Sequence, residues 1–275
     1  MAQCGGYEQV SVLDFFANHP VFTRQEFAAF LKYRGAGSPR TVASHLLRYL
    51  AAGRIGRVKR GVYFAAGPGE AADRAALDFL LVASRLTPDS VLAYHTALEA
   101  HGYAQSLFER LTFLTTSKAK PVRFRGREFV PVLPLAGLRR KRKSFVLCTE
   151  VERRGLACRV TSVERTVVDV LDRPDLSGGL EEVWRSLAGL PMLDLDAVVE
   201  YVRLCGQATL AAKVGFFLTQ HREALGVPNA VFGRLRKLRP RQPRYLDRRL
   251  GGKMAADWNL IVPAAIMNRE WEAVR

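Results

Sequence analysis

Along residues 11–53 the apolar positions recur at helical spacing, and from residue 54 the pattern changes to that of a β-hairpin. Val12, Leu13 and Phe16 mark a short first helix that Pro20 ends. Thr23-Arg24-Gln25-Glu26 has the capping-box spacing, in which the threonine side chain accepts from the Glu26 amide and the glutamate reaches back. Phe27, Phe30 and Leu31 give the second helix its apolar face, and Gly35-Ala36-Gly37 breaks it. Ser38 then offers an N-cap, and Pro39 suits the first helical position, where its missing N–H costs nothing. Val42, Leu46, Leu47 and Leu50 are the expected buried face of the third helix. Thr41, Ser44, His45 and Arg48, at i, i+3, i+4 and i+7, share the opposite stripe. Gly53 fits the position just past the helix end, and the hairpin that follows has Lys59-Arg60-Gly61 at its tip.

Three short helices followed by a two-stranded ribbon is the layout of a winged helix-turn-helix over residues 1–66. In that arrangement the third helix enters the major groove and the hairpin lies against the backbone or minor groove of double-stranded DNA. Arg40, Thr41, Ser44, His45 and Arg48 are the expected base-edge contacts, and Arg57, Lys59 and Arg60 the expected phosphate contacts. An ordinary solvated helix with a basic surface turn is the alternative. Capping, periodicity, hairpin and charge agree on the DNA reading.

Gly67-Pro68-Gly69 marks the expected boundary to a second domain over residues 70–275. Residues 71–85 and 89–101 read as helices. Strands are expected in "LTFLTT", "VRFRGREFVPV", "SFVLCTEV" and "LACRVT", with a hairpin turn inside "RFRGREF". From Ser162 the pattern is helical again, through "QATLAAKVGFFLTQHREALG". The expected class is therefore α+β: the winged helix, then a larger mixed domain with a small antiparallel sheet flanked by helices. Two basic runs stand out, "LRRKRKSF" and "RLRKLRPRQPRYLDRRL". Arg139, Arg140, Lys141, Arg142, Lys143, Arg234, Arg236 and Lys237 are either solvated loop charges or additional phosphate contacts.

Charge sharpens this picture. With 42 basic and 26 acidic residues the formal net charge is +16, which calls for a polyanionic partner, nucleic acid or an anionic membrane surface. No apolar stretch approaches the roughly 20 residues of a membrane span, and a secretory signal pattern is absent, so a cytoplasmic protein without a membrane partner is expected. Cys4, Cys148, Cys158 and Cys205 are scattered without a CxxC pair, which predicts reduced, mostly buried thiols; a Cys148–Cys158 disulfide is the alternative. Nucleotide-binding, zinc-protease and serine-hydrolase patterns are missing. His95 and His101 lie six apart and project in different directions, a poor metal site. The basic clusters hold no Glu-x-Lys or Asp-x-Lys of a nuclease, and Glu164-Arg165-Thr166 has no lysine. No catalytic residue, metal or cofactor is expected.

Several stretches together resemble the AbiEi-type antitoxins of type IV toxin–antitoxin (abortive infection) systems, over most of the chain. "SHLLRYLAAGRIGRVKRGVYFA" looks like that family's helix-plus-hairpin signature, and "VLAYHTALEAHGY" its Ser/His-x-Ala-Leu…His-Gly segment. "VTSVERTVVDVLDRPDLSGGLEEV" is similar to its Glu-Arg-Thr…Asp…Pro…Gly-Gly stretch, "VGFFLTQ" to its later Gly-aromatic-Leu helix, and "AADWNLIVP" keeps an acidic residue, Trp and Asn. The Glu-Arg-Thr…Gly-Gly combination is the more specific, since many regulators share the helix and hairpin; the stretch before "AADWNLIVP" is unusually basic for the family. The resemblance implies a DNA-binding autorepressor that binds inverted repeats at its own promoter. It also implies an antitoxin that counteracts a nucleotidyltransferase-like toxin without a stable complex being required. On that implication Glu164, Arg165, Thr166 and Asp169 carry antitoxin function. Their own chemistry points instead to organising the fold, Arg165 and Asp169 being able to pair at i, i+4. The rivals are a winged-helix regulator with a ligand-sensing or dimerisation domain and no toxin, and a winged helix fused to an unrecognised nuclease fold.

Overall fold

Side-chain caps begin the first three helices. In the computed structural model, which describes residues 11–67, 69–190 and 192–270, Ser11 and Asp14 close a capping box on α1 (Val12–Asn18). After the short strand β1 (Val21–Thr23), Thr23 and Glu26 close a second box on α2 (Arg24–Tyr33). Ser38 caps α3 (Pro39–Ala51), with Pro39 in its first turn. β2 (Ile55–Lys59) and β3 (Val62–Ala65) follow as an antiparallel hairpin, with Gly61 at φ +86°. The register shifts between Arg57 and Lys59, a local irregularity of the kind that re-aims side chains. β1 was not expected; it pairs with β3 to give a three-stranded sheet of order β1-β3-β2. Phe15, Phe16, Phe22, Phe27, Val42, Leu46 and Ile55 form the core of this region, the aromatic rings meeting edge-on or offset.

Leu47 departs from expectation. It is exposed, while Val42 and Leu46 are buried and Tyr49 and Leu50 half-buried. Successive helical residues are rotated by about 100°, so a stripe centred on Val42 and Leu46 turns Leu47 out.

The chain divides into two units, one of residues 1–88 with 152–158 and the other of 89–151 with 159–275. Gly67 and Gly69 thus fall within the first. In it, α4 (Phe79–Ser84) is shorter than the expected 71–85 because the Asp78 carboxylate takes the Leu80 and Leu81 amides and starts the helix there. Arg153 holds that carboxylate at 2.8 Å.

The segment 89–101 is not one helix. β4 (Val91–Leu92) is followed by Tyr94 at φ 56° and then α5 (His95–His101). Val91 and Leu92 pair with β5 (Arg110–Leu114), and Leu92 also pairs on its other side, so tertiary pairing overrides the helical pattern. β6 (Val122–Phe124) and β7 (Arg127–Val132) form the expected hairpin, its turn residues Arg125 and Gly126 both at positive φ. α6 (Ala136–Arg140) precedes β8 (Cys148–Arg153) and β9 (Leu156–Thr161). The expected small antiparallel sheet is larger and mixed: six strands in the order β6-β7-β5-β4-β9-β8, with β5–β7 and β4–β9 parallel. Residues 144–147, expected to be strand, are not, because the Ser144 and Val146 carbonyls accept from Arg165.

The helices α7 (Val163–Asp172), α8 (Leu180–Leu187), α9 (Leu195–Cys205), α10 (Ala208–Gln220) and α11 (Asn229–Leu238) supply most of the second core, around Val168, Trp184, Val198 and Phe217. α11 occupies part of the second basic run, which had no helix assigned. β10 (Arg244–Tyr245), β11 (Lys253–Ala255) and β12 (Leu260–Val262) form a small sheet, and α12 (Ala264–Met267) follows. Asp257, Trp258 and Asn259 lie in the turn before β12, with Trp258 buried. The chain is thus a mixed α/β protein. Cys148, Cys158 and Cys205 are free thiols; Cys4 lies outside the described residues. Among the described residues no helix is long and apolar enough to cross a membrane.

Candidate functional site

Of the third-helix residues singled out in the sequence, Arg40, Ser44 and Arg48 are exposed, whereas Thr41 and His45 are half-buried. The Thr41 hydroxyl lies 2.7 Å from the Ser38 hydroxyl, so it belongs to the helix cap. Arg48 Nη2 is 3.3 Å from His45 Nδ1. Arginine has no acceptor, so Nδ1 accepts and the ring proton resides on Nε2. Burial, then the Arg48 and Arg34 charges, pull His45 below the ordinary histidine range, which keeps the ring neutral at pH 7. The Arg48 guanidinium also lies 5.0 Å from the Tyr49 ring centroid.

Beside the hairpin runs an open groove of about 1070 Å³. The Arg24 amide donates to the Gly61 carbonyl at 2.8 Å, which ties the hairpin tip to the start of α2. Arg24, Arg57, Lys59, Arg60 and Arg85 line the groove, and no acidic side chain does. Lys59 is half-buried, and desolvation pulls its ammonium below the usual lysine range. Among the described residues no ion pair forms with Arg57, Lys59 or Arg60. A cation that gives up water without gaining a counter-ion is disfavoured, so the groove is electrostatically suited to an anion.

Arg85 is held more firmly. Its Nε lies 3.2 Å from Glu26 Oε1, and Nη1 donates to the Ala157 carbonyl at 3.2 Å. Glu26 therefore both caps α2 and fixes Arg85. Sequence pattern singles out neither Arg24 nor Arg85 as a groove residue: Arg24 hides inside the capping box, and Arg85 reaches the groove only through tertiary contact.

The Glu-Arg-Thr segment forms a different kind of centre. Arg165 is 1% exposed; its Nε donates to Asp169 Oδ2 at 3.1 Å, and Nη1 donates to the Val146 carbonyl at 2.7 Å and the Ser144 carbonyl at 3.0 Å. The Tyr201 hydroxyl donates to Asp169 Oδ1 at 2.7 Å. Burial pushes the Asp169 carboxyl upward, opposed by Arg165 and by the Tyr201 hydrogen bond. The buried Thr166 hydroxyl meets the Thr161 hydroxyl and the Ser162 carbonyl, both at 2.7 Å. Glu164 is half-buried. These contacts join α7 to α9 and to residues 144–148.

In the first basic run, Arg139, Arg140, Lys141, Arg142 and Lys143 are exposed; Arg139 and Lys141 donate to the Pro134 and Leu204 carbonyls. In the second, Arg234 pairs with Asp196 and Glu200, and Arg236 with Asp257 at 3.2 Å, while Lys237 is exposed. His95 lies 3.4 Å from Glu182 and stacks on Phe108, whereas His101 lies 2.8 Å from the Thr161 carbonyl. No group of three metal-ligating side chains occurs among the described residues.

No family model matches this chain, and no curated protein matches it. Among solved structures it is similar to the crystal structure of the RV2827C protein from Mycobacterium tuberculosis, with a TM-score of 0.58 and 18% identity, over 96% of this chain and 94% of that one. At that identity the likeness establishes a common fold.

Proposed function

We propose that the first unit contains a winged helix-turn-helix that binds double-stranded DNA, with α3 in the major groove and a strand backbone following the groove beside the β2–β3 hairpin. One observation carries this reading: the exposed face of α3 and the groove hold cations and no acidic side chain, and Lys59 is half-buried there without a counter-ion. Ser44 and Arg48 are the base-edge candidates. Arg24, Arg57, Lys59, Arg60 and Arg85 are the phosphate contacts.

Full-length protein titrated onto a duplex from the region upstream of its own gene tests this. The logarithm of the binding constant should fall linearly with the logarithm of salt, by about 0.9 for each phosphate neutralised. Arg48→Ala or Ser44→Ala should relax sequence preference by about 1–3 kcal/mol at one base pair. A binding isotherm and sequence preference untouched by these variants would overturn the reading.

On the strength of the AbiEi-type resemblance, we further propose that this DNA binding is autorepression in the cytoplasm, and that the second unit counteracts a nucleotidyltransferase-like toxin without itself being an enzyme. Co-expression with the product of an adjacent nucleotidyltransferase gene should relieve growth arrest. Continued arrest with both proteins present as folded species would remove the antitoxin role. Magnesium-dependent nicking of supercoiled plasmid by the purified protein would favour the nuclease alternative.

A further inference from the structure

The exposed stripe of α3 is centred on a leucine. Leu47 is 67% exposed and shares a row with Arg40, Ser44 and Ala51, at i, i+4, i+7 and i+11 counted from Arg40. All four stand on the exposed side of a helix that contains no aspartate or glutamate. Arg48, the neighbouring cation, is folded back along the flank: its Nη2 lies 3.3 Å from His45 Nδ1 and 3.4 Å from the Tyr49 hydroxyl. In this arrangement Leu47 stands at the crest of the helix between Ser44 and Ala51, with the exposed Arg48 beside it on the flank.

A leucine side chain can neither donate nor accept a hydrogen bond, so it is useless against a phosphate and blind to the polar pattern of a base edge. It offers apolar surface. In the major groove one base edge presents a methyl group, that of thymine. Contact with that methyl removes two apolar groups from water together. Contact with a cytosine amino group or a guanine carbonyl at the same place would dewater a polar atom without giving it a partner. The contact would therefore discriminate by attraction and by penalty.

We propose that Leu47 reads the C5-methyl of a thymine in the duplex bound by α3, and so is a specificity-determining residue. This rests on the reading of α3 as the helix that enters the major groove. Arg40 and Ser44, one and two turns toward the N-terminus, then serve the adjacent base pairs or the flanking phosphates.

The test begins with full-length protein and a random-sequence duplex library, from which the bound fraction is sequenced. Each thymine of the enriched site is then replaced singly by deoxyuridine, which deletes the methyl and leaves the hydrogen-bonding edge unchanged. One thymine in the α3 footprint should respond with about fourfold weaker binding, the value of one buried methyl-sized group. Leu47→Ala should bind the thymine and uracil duplexes alike, whereas Leu47→Met should keep the preference. Equal sensitivity in the parent protein and Leu47→Ala, or no sensitive thymine in an enriched site, overturns the role of Leu47 and leaves DNA recognition standing. Failure of the library to enrich any sequence overturns both. A change of oligomeric state in Leu47→Ala, read by sedimentation velocity, would assign the leucine to a contact between copies of this chain and also overturn the proposal.

Discussion

The groove beside the hairpin and the centre around Arg165 use the same kind of charge in opposite ways. Arg57, Lys59 and Arg60 face a groove without an acidic neighbour, and Lys59 is half-buried there. Arg165 is 1% exposed and donates to one carboxylate and two carbonyls. The first arrangement leaves binding capacity unused; the second consumes it within the fold. Net positive charge therefore does not by itself mark an interface. The run from Arg234 makes the same point, since Arg234 and Arg236 are paired with acids that the sequence does not place beside them.

The contrast breaks most readily at Arg165. Arg165→Met leaves Asp169 buried without its counter-charge and should cost about 3–5 kcal/mol of stability, measured by denaturant unfolding of the full chain. Arg165→Met combined with Asp169→Leu should recover much of that loss, because an apolar pair of similar volume no longer strands a charge. DNA affinity per folded molecule should not change. A cost under about 1 kcal/mol for the single variant would mean that the centre does not hold α7 in place.

Lys59→Gln is the complementary test and should divide its effects the other way. Thermal stability should hold or rise slightly, since a desolvated and unpaired ammonium is removed. Affinity for a duplex should fall about tenfold, the worth of one charge-assisted bond to phosphate. The salt slope should become shallower by about 0.9. Loss of stability with unchanged DNA affinity would place Lys59 with Arg165 and erase the comparison.

The parts legible in the sequence are those decided within a few residues. Thr23 with Glu26, Ser38 with Pro39, the Arg125-Gly126 turn and the i, i+4 pair of Arg165 and Asp169 all depend on local geometry. β1 and β4 are too short for any periodicity to register, and they exist because β3 and β5 are there to receive them. Leu46, Leu47 and Leu50 cannot all be placed on the buried face by period alone; packing around Val42 and Leu46 decides which turns outward. Arg85 joins the groove through Glu26 and the Ala157 carbonyl, partners distant along the chain. The capped, basic helix α3 was thus readable from local pattern and charge, but the extent of the basic surface around the hairpin was not.

A smaller effect is expected at Arg234. Its partners Asp196 and Glu200 are exposed, and exposed pairs contribute about 0–1 kcal/mol. Arg234→Ala should therefore shift the unfolding midpoint little and leave the salt slope of DNA binding unchanged. A shallower slope would return Arg234 to the phosphate-contacting set.

The pH-dependent member of the comparison is Asp89, an anion treated as Arg165 is treated, with its hydrogen-bonding capacity taken up inside the fold. Burial alone would raise its pKa, but the hydroxyls of Thr115, Thr116 and Ser117 and the Thr116 amide all donate to it, and together they hold the carboxyl well below the usual range. An aspartate whose pKa is depressed in the folded state stabilises that state above its unfolded value of about 3.9, and the contribution disappears as pH falls toward the folded value. The melting temperatures of the parent protein and Asp89→Asn should therefore differ most near neutral pH, and the difference should shrink progressively as pH falls below about 4. Because the side chain is partly exposed, solvent screens the effect, and a modest difference is expected. A gap that widens on acidification would mean that these hydroxyls do not stabilise the charged form. Asp89 would then stand closer to Lys59, a charge carried by the fold without benefit to it, than to Arg165.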